Sequence, residues 1–159
     1  MSDVNPYEKF LDGRPLETIL GSTPSTLASL LQGIGLVNAS KAPAPGKWSA
    51  AEIIAHLVDC EIAFAFRLRQ TLAEDRHVIQ PFDQDKWAMA YQDVSAGSAL
   101  SAFAALRTWN LNLIQRMLPA CADKIVVHPE RGTMTFKTIV ETMAGHDLNH
   151  LGQLQRIAQ

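Results

Sequence analysis

Apolar residues recur at spacings of three and four in four long stretches of this chain, the mark of helices that bury one face. From Pro15 the positions Leu16, Ile19, Leu20, Leu27, Leu31 and Ile34 form a near-heptad stripe. Pro24 falls inside it and deletes one backbone hydrogen bond, yet the stripe keeps its phase, which predicts one bent helix rather than two. Residues 38–47, with Pro43, Pro45 and Gly46, carry no periodicity and predict a loop. Ser49 followed by Glu52 forms a capping box, and Trp48 and Ile53 flank it where an apolar staple closes. The helix begun there is expected to reach about Glu74, with Ile53, His56, Leu57, Cys60, Phe64 and Leu68 on one face.

Residues 75–95 are irregular around Pro81 and Phe82, with a short helix expected about Lys86–Tyr91. Ser95 can cap a third long helix from Ala96 to about Leu118, with Leu100, Phe103, Leu106, Leu113, Ile114 and Met117 inward and Pro119 as its stop. Residues 120–134 hold Ile125-Val126-Val127 and Gly132, read as a small hairpin or an extended crossover. Thr135 can cap the last helix, about Phe136 to Ala158, and residues 1–13 read as a polar arm whose Tyr7, Phe10 and Leu11 fold onto the body. Four amphipathic helices with unequal connections predict an all-α four-helix bundle, and not a stack of tight hairpins.

Composition narrows what such a bundle does. A length of 159 residues fits one domain spanning 1–159, with no internal repeat or low-complexity tract. A net charge of −2 and the absence of any Lys/Arg cluster argue against nucleic acid and anionic membrane as partners. No apolar run approaches the roughly 20 residues of a membrane span, and the polar start Met1-Ser2-Asp3-Val4-Asn5 is no signal peptide. Cys60 and Cys121 are too few for a disulfide framework, so the expected setting is cytoplasmic with both thiols reduced.

The candidate chemistry lies in the last helix. His146 and His150, four apart, differ by about 40° around a helix axis. They share register with Ile139, Met143, Leu154 and Ile157, which points both imidazoles inward, where unpartnered polar groups cost stability. His56 is inward on its own helix. Three neutral imidazoles converging from two helices, with an open position, suit a divalent transition metal. Three separately hydrogen-bonded core histidines are the other reading of the same pattern.

Cys60, one turn beyond His56, is either a soft fourth ligand or a small buried apolar residue. Of the nearby carboxylates, Glu61 reads as the partner of an arginine. Asp147 and Asp59 could orient a ring N–H or accept a proton. Asp59, three residues after His56 and on its side of the helix, is the candidate catalytic residue. His77 and His128 fall in loops and receive no role, and Trp87 and Trp109 read as core or interface aromatics. Gly145 and Gly152 each cost a helix about 1 kcal/mol relative to alanine, which close packing would explain.

Three blocks, Gly46-Lys47-Trp48-Ser49-x-x-Glu52-x-x-x-His56-Leu57-x-Asp59-x-Glu61, Pro81-Phe82-Asp83, and Gly145-His146-Asp147-x-x-His150-Leu151-x-Gln153-Leu154, resemble the DinB-like superfamily. The resemblance extends from about Leu16 to Ile157. It implies a four-helix bundle of up-down-down-up topology, commonly a homodimer. It further implies a divalent metal, usually nickel or zinc and in some relatives iron, held by residues matching His56, His146 and His150. Characterised relatives include transferases and an isomerase that use low-molecular-weight thiols such as bacillithiol or mycothiol. The resulting expectation is a metal-dependent thiol S-transferase acting on small electrophiles. A hydrolase using metal-bound water, or a non-catalytic metal-binding stress-response module, are the alternatives.

Overall fold

In the computed structural model, residues 4–159 are described; Met1, Ser2 and Asp3, part of the expected polar start, lie outside the described residues. A 3-10 turn, Glu8–Phe10, precedes helix α1 (Leu16–Ile34) and a single helical turn α2 (Leu36–Ala39). Then come α3 (Ala50–Ala73), the short α4 (Gln84–Ala88) running into a 3-10 turn Met89–Tyr91, and α5 (Ala96–Cys121). Strands β1 (Ile125–His128) and β2 (Gly132–Thr135) pair antiparallel, and α6 (Phe136–Ile157) closes the chain.

Three of the four long helices, α3, α5 and α6, start at side-chain caps, as the sequence predicts. Ser49 Oγ accepts from the Glu52 N–H at 3.2 Å while the Glu52 carboxylate accepts from the Ser49 N–H at 2.7 Å, so α3 begins at a fixed residue. Thr135 and Thr138 form a second such box at the start of α6, and Ser95 caps α5 by accepting from the Ser98 N–H. The ends were less legible. Pro119 does not stop α5, which continues to Cys121, because a proline in the final turn removes only the bond to the Gln115 carbonyl. The expected loop at 38–47 begins instead inside α2. Gly35 adopts φ 78°, a left-handed turn suited to glycine, and its carbonyl starts the new turn by accepting from Asn38 and Ala39.

Pro24 leaves α1 a single helix, as expected, but with a consequence. Its missing N–H frees the carbonyl of Leu20, which accepts from Arg107 Nη1 at 3.1 Å.

Contacts fix the helix directions. α1 packs on α5 and α6, and α3 packs on the same two. Arg107 meets Leu20, and Leu27 and Leu31 share a cluster with Ala99 and Phe103, so α1 and α5 are antiparallel. Ile19 clusters with Ile139 and Met143 while Leu27 clusters with Leu151 and Leu154, which makes α1 and α6 parallel. Ile53 and Leu57 group with Leu154, whereas Phe64 and Leu68 group with Met143, so α3 opposes α6. The four long helices therefore run up, down, down, up. Because α3 and α5 point the same way, the link between them must travel back along the bundle. It is pinned on the way, since the Ile79 N–H bonds the Val127 carbonyl at 2.8 Å and Val127 N–H bonds His77 at 3.0 Å.

The apolar core falls into two clusters, one around Leu68, Ile114, Phe136 and Met143 and the other around Leu27, Ile54, Leu57 and Phe103. Between them the buried residues are polar: Thr23, His56, Glu61, Arg107, Asn110, His146, Asp147 and His150. Trp87 and Trp109 are not core residues; they are 39% and 66% exposed. Among the described residues, no helix is long and apolar enough to cross a membrane.

Candidate metal centre

His56 sits in the second turn of α3, a position dictated by the cap at Ser49. The antiparallel α6 brings His146 and His150 across from it. His56 Nε2 lies 3.0 Å from His146 Nε2, which lies 3.1 Å from His150 Nε2. One ligand nitrogen from each ring falls within 4.8 Å of the others, and all three residues are buried.

The donor set fits a metal ion. Nitrogens on a tetrahedral zinc at about 2.0–2.1 Å stand roughly 3.3 Å apart, close to the spacing here. Gln153 Oε1, 3.0 Å from His150 Nδ1, can only accept, so that Nδ1 carries the proton and Nε2 is left with its lone pair. Burial, and secondarily the neighbouring His150, pushes His56 down to about 3. Burial likewise pulls His146 well below its ordinary value and lowers His150. All three rings are therefore neutral near pH 7, the ligand form. Separately satisfied histidines are not what the fold provides. Among the described residues, only His150 has a protein partner other than the imidazoles and Cys60.

The shell around the rings is mostly aromatic. Trp48 lies 5.0 Å from His56 between ring centroids, Tyr7 meets His146 edge-on at 5.0 Å, and Phe64 stands 6.2 Å from His146. Tyr7 arrives on the N-terminal arm, which docks on α6 where Gly145 has no side chain; a Cβ there would collide with the Tyr7 carbonyl. The packing that explains Gly145 thus comes from the arm and not from another helix. Cys60 Sγ is 3.4 Å from His56 Nε2 and buried, and burial pushes its thiol up to about 12.

Below the rings lies a network that sequence reading only half anticipated. Arg107 donates to Glu61 at 3.1 and 2.8 Å through Nε and Nη2, and it also bonds both oxygens of Asp147. Asn110 Nδ2 reaches Glu61 Oε1 at 2.8 Å, and Thr23 Oγ1 donates to Asp147 at 2.7 Å. Burial alone would lower the Arg107 pKa, but the Asp147 and Glu61 carboxylates outweigh it and raise it. Glu61 pairs with an arginine as expected. Asp147 does not orient the rings, the role its place beside His146 suggests, but is held by Arg107 and Thr23. Arg107 and Asn110 were missed. The signal was their register with Phe103 and Ile114 on the inward stripe of α5.

Asp59 makes no hydrogen bond to any of the three imidazoles; it accepts from Tyr91 Oη at 2.8 Å. His77 and His128, expected in loops without a role, are both buried, and His128 belongs to β1. Among the described residues, neither ring nitrogen of His77 has a hydrogen-bond partner.

Two hollows flank the centre. The larger, of about 590 Å³, is lined by Lys47, Trp48, Ile53, Gln153 and Arg156, of which Trp48 and Gln153 also touch His56 and His150, and includes none of the three rings. The smaller, about 170 Å³, reaches His146 and Cys60 directly, and is walled by Tyr7, Arg67, His128 and Arg131. Of the two, the smaller is the one that touches an imidazole of the cluster.

Comparison with known proteins places this geometry in context. A family model described as the DinB superfamily matches residues 19–154. Proteins called "Putative metal-dependent hydrolase" are similar in sequence: one from Oceanobacillus iheyensis is 26% identical over 72% of this chain and 67% of its own length. Another, from Bacillus mycoides, is 23% identical over 72% of this chain and 66% of its own length. The chain thus spans about two-thirds of these relatives. Among solved structures, YfiT from Bacillus subtilis superposes with a TM-score of 0.78 at 17% identity, covering 89% of this chain and 84% of YfiT. That protein is described as "a probable metal-dependent hydrolase with an unusual four-helix bundle topology", and the likeness concerns the fold.

Proposed function

This chain belongs to the DinB superfamily, and we propose that it is a metal-dependent enzyme in which His56, His146 and His150 hold one divalent ion. The observation that carries this reading is the convergence of three neutral, buried imidazole nitrogens at 3.0 and 3.1 Å, with the Cys60 thiol as the one other polar group beside them among the described residues. Imidazole donors suit nickel, zinc and iron alike. An ion bound there would act as a Lewis acid that brings the ionisation of a coordinated thiol or water into the neutral range.

Within that reading we favour a low-molecular-weight-thiol S-transferase over a hydrolase. Hydrolysis by metal-activated water is commonly assisted by a carboxylate or imidazole base beside the ion. The carboxylates on the helices beside the rings are engaged, Glu61 and Asp147 by Arg107 and Asp59 by Tyr91, while Glu130 and His128 stand further out on the wall of the smaller hollow. Thiol transfer needs no such base: the sulfur–carbon bond forms, the carbon–leaving-group bond breaks, and the thiol proton passes to solvent. Among the chain's own groups, Gln153 orients the His150 ring, and Trp48, Tyr7 and Phe64 pack their rings against His56 and His146. Asp59 enters as a positioning residue, fixing Tyr91, whose ring lies 6.0 Å from Trp48, which covers His56.

The test is turnover of monochlorobimane by metal-loaded protein with and without added thiol. Product that requires both metal and thiol supports transfer, and Asp59→Asn should then slow it severalfold with metal content unchanged. Metal-dependent cleavage of esters or amides without thiol supports the hydrolase. Metal binding with neither reaction supports an ion that only staples α3 to α6. We also propose a homodimer, a reading supported by the exposed Phe66 and Trp109, 64% and 66% accessible, and checked by sedimentation mass.

A further inference from the structure

The smaller hollow over His146 carries a charge arrangement that neither the metal nor the fold requires. Arg67 projects from α3 and Arg131 from the turn between β1 and β2, and both line the hollow. Among the described residues, neither guanidinium has a carboxylate within salt-bridge reach. Arg67 makes one long bond, to the Gln80 carbonyl at 3.5 Å, and is steadied by the faces of Phe64 and Phe82 at 5.9 and 5.7 Å. The two cations feel each other: burial first, then Arg131, lowers the pKa of Arg67. In a chain of net charge −2, two arginines lining one hollow beside the His146 ring, with no carboxylate paired to either among the described residues, form a local positive site. The hollow has one carboxylate on its wall, Glu130. The Glu130 N–H is spent on His128 Nδ1 at 3.2 Å, which leaves His128 Nε2 as the protonated, donating nitrogen.

We propose that this hollow binds an oxyanion, a carboxylate or a phosphate at one end of the substrate or thiol, gripped between Arg67 and Arg131 while the other end reaches the three-histidine centre. Guanidinium forks match the planar pairs of oxygens on either group, and a hollow of about 170 Å³ admits one such headgroup. The selectivity for acidic small molecules rests on the metal reading above, but the anion site does not need the metal to be measured.

The experiment is calorimetric titration of succinate, inorganic phosphate and the uncharged succinamide, at fixed ionic strength held by chloride. It is run on metal-loaded and chelated protein and on Arg67→Gln, Arg67→Lys and Arg131→Gln variants. Succinate or phosphate should bind both forms of the wild-type protein, and affinity should fall at least tenfold in each glutamine variant with metal content unchanged. The lysine variant should retain part of it. The tighter of the two anions identifies the headgroup. The proposal is overturned if neither anion binds or if succinamide binds equally well. It is equally overturned if the glutamine variants keep wild-type affinity, or if binding vanishes with the metal while remaining indifferent to the arginines. Failure to take up metal at all would sink the proposed function and leave this measurement standing.

Discussion

At the scale of single residues, the polar layer is a set of charges and lone pairs arranged so that few are left without an answer. Arg107 answers two carboxylates and the carbonyl that Pro24 sets free. Replacing it with methionine should cost roughly 3–5 kcal/mol, since Glu61 and Asp147 would stay buried without a cation. Urea unfolding of the variant at neutral pH checks this, and loss below 1 kcal/mol would contradict it.

The histidines give a pH signature. An unfolded His56 titrates near 6.5, whereas the folded one is held down to about 3. Between those values the unfolded chain binds the proton and the native one does not. The metal-free protein should therefore lose stability as pH falls through that window, by up to about 1.4 kcal/mol per unit from His56 alone. Thermal unfolding of chelated protein from pH 7 to pH 4 reads this slope, and His56→Ala should flatten it.

At the scale of elements, caps place chemistry. The Ser49–Glu52 box fixes where α3 begins and hence where His56 lies along it; Ser49→Ala should destabilise by about 1 kcal/mol. Gly145 shows the opposite case, where a helix accepts a poor helix former so that another segment can approach. On propensity alone Gly145→Ala should stabilise α6 by up to about 1 kcal/mol. Because the added methyl meets the Tyr7 backbone, the variant should instead be less stable and should loosen the arm over His146. Increased proteolysis near residues 4–13 would report that loosening.

These elements also mark what the sequence made legible. The starts of α3, α5 and α6 and the inward placement of His56, His146 and His150 were readable because caps and i, i+4 register are local. Arg107 was not, because a charge within an apolar stripe is ordinarily surface until a partner helix supplies carboxylates. Neither was the docking of Tyr7 on Gly145, since nothing local links two positions so far apart in the chain. Pro119 misled because a proline's cost depends on how many bonds remain beyond it, and in a last turn there is little left to lose.

At the scale of the molecule, two apolar clusters sandwich one polar layer, and the up-down-down-up order is what sets α3 antiparallel to α6 through that layer. A metal ion there would join the second long helix to the last. Bound at a thousandfold above its dissociation constant, it would add about 4 kcal/mol to stability. Everything proposed about reaction and substrate stands on that ion being held.

The most direct measurement is elemental analysis of the purified protein, paired with thermal unfolding before and after chelation and in His56→Ala. The account predicts close to one divalent transition metal per chain, its loss on chelation with a fall in Tm of several degrees, and neither metal nor chelator sensitivity in the variant. A chain that takes up no nickel, zinc or iron when these are supplied, and unfolds at the same temperature with or without chelator, would contradict it.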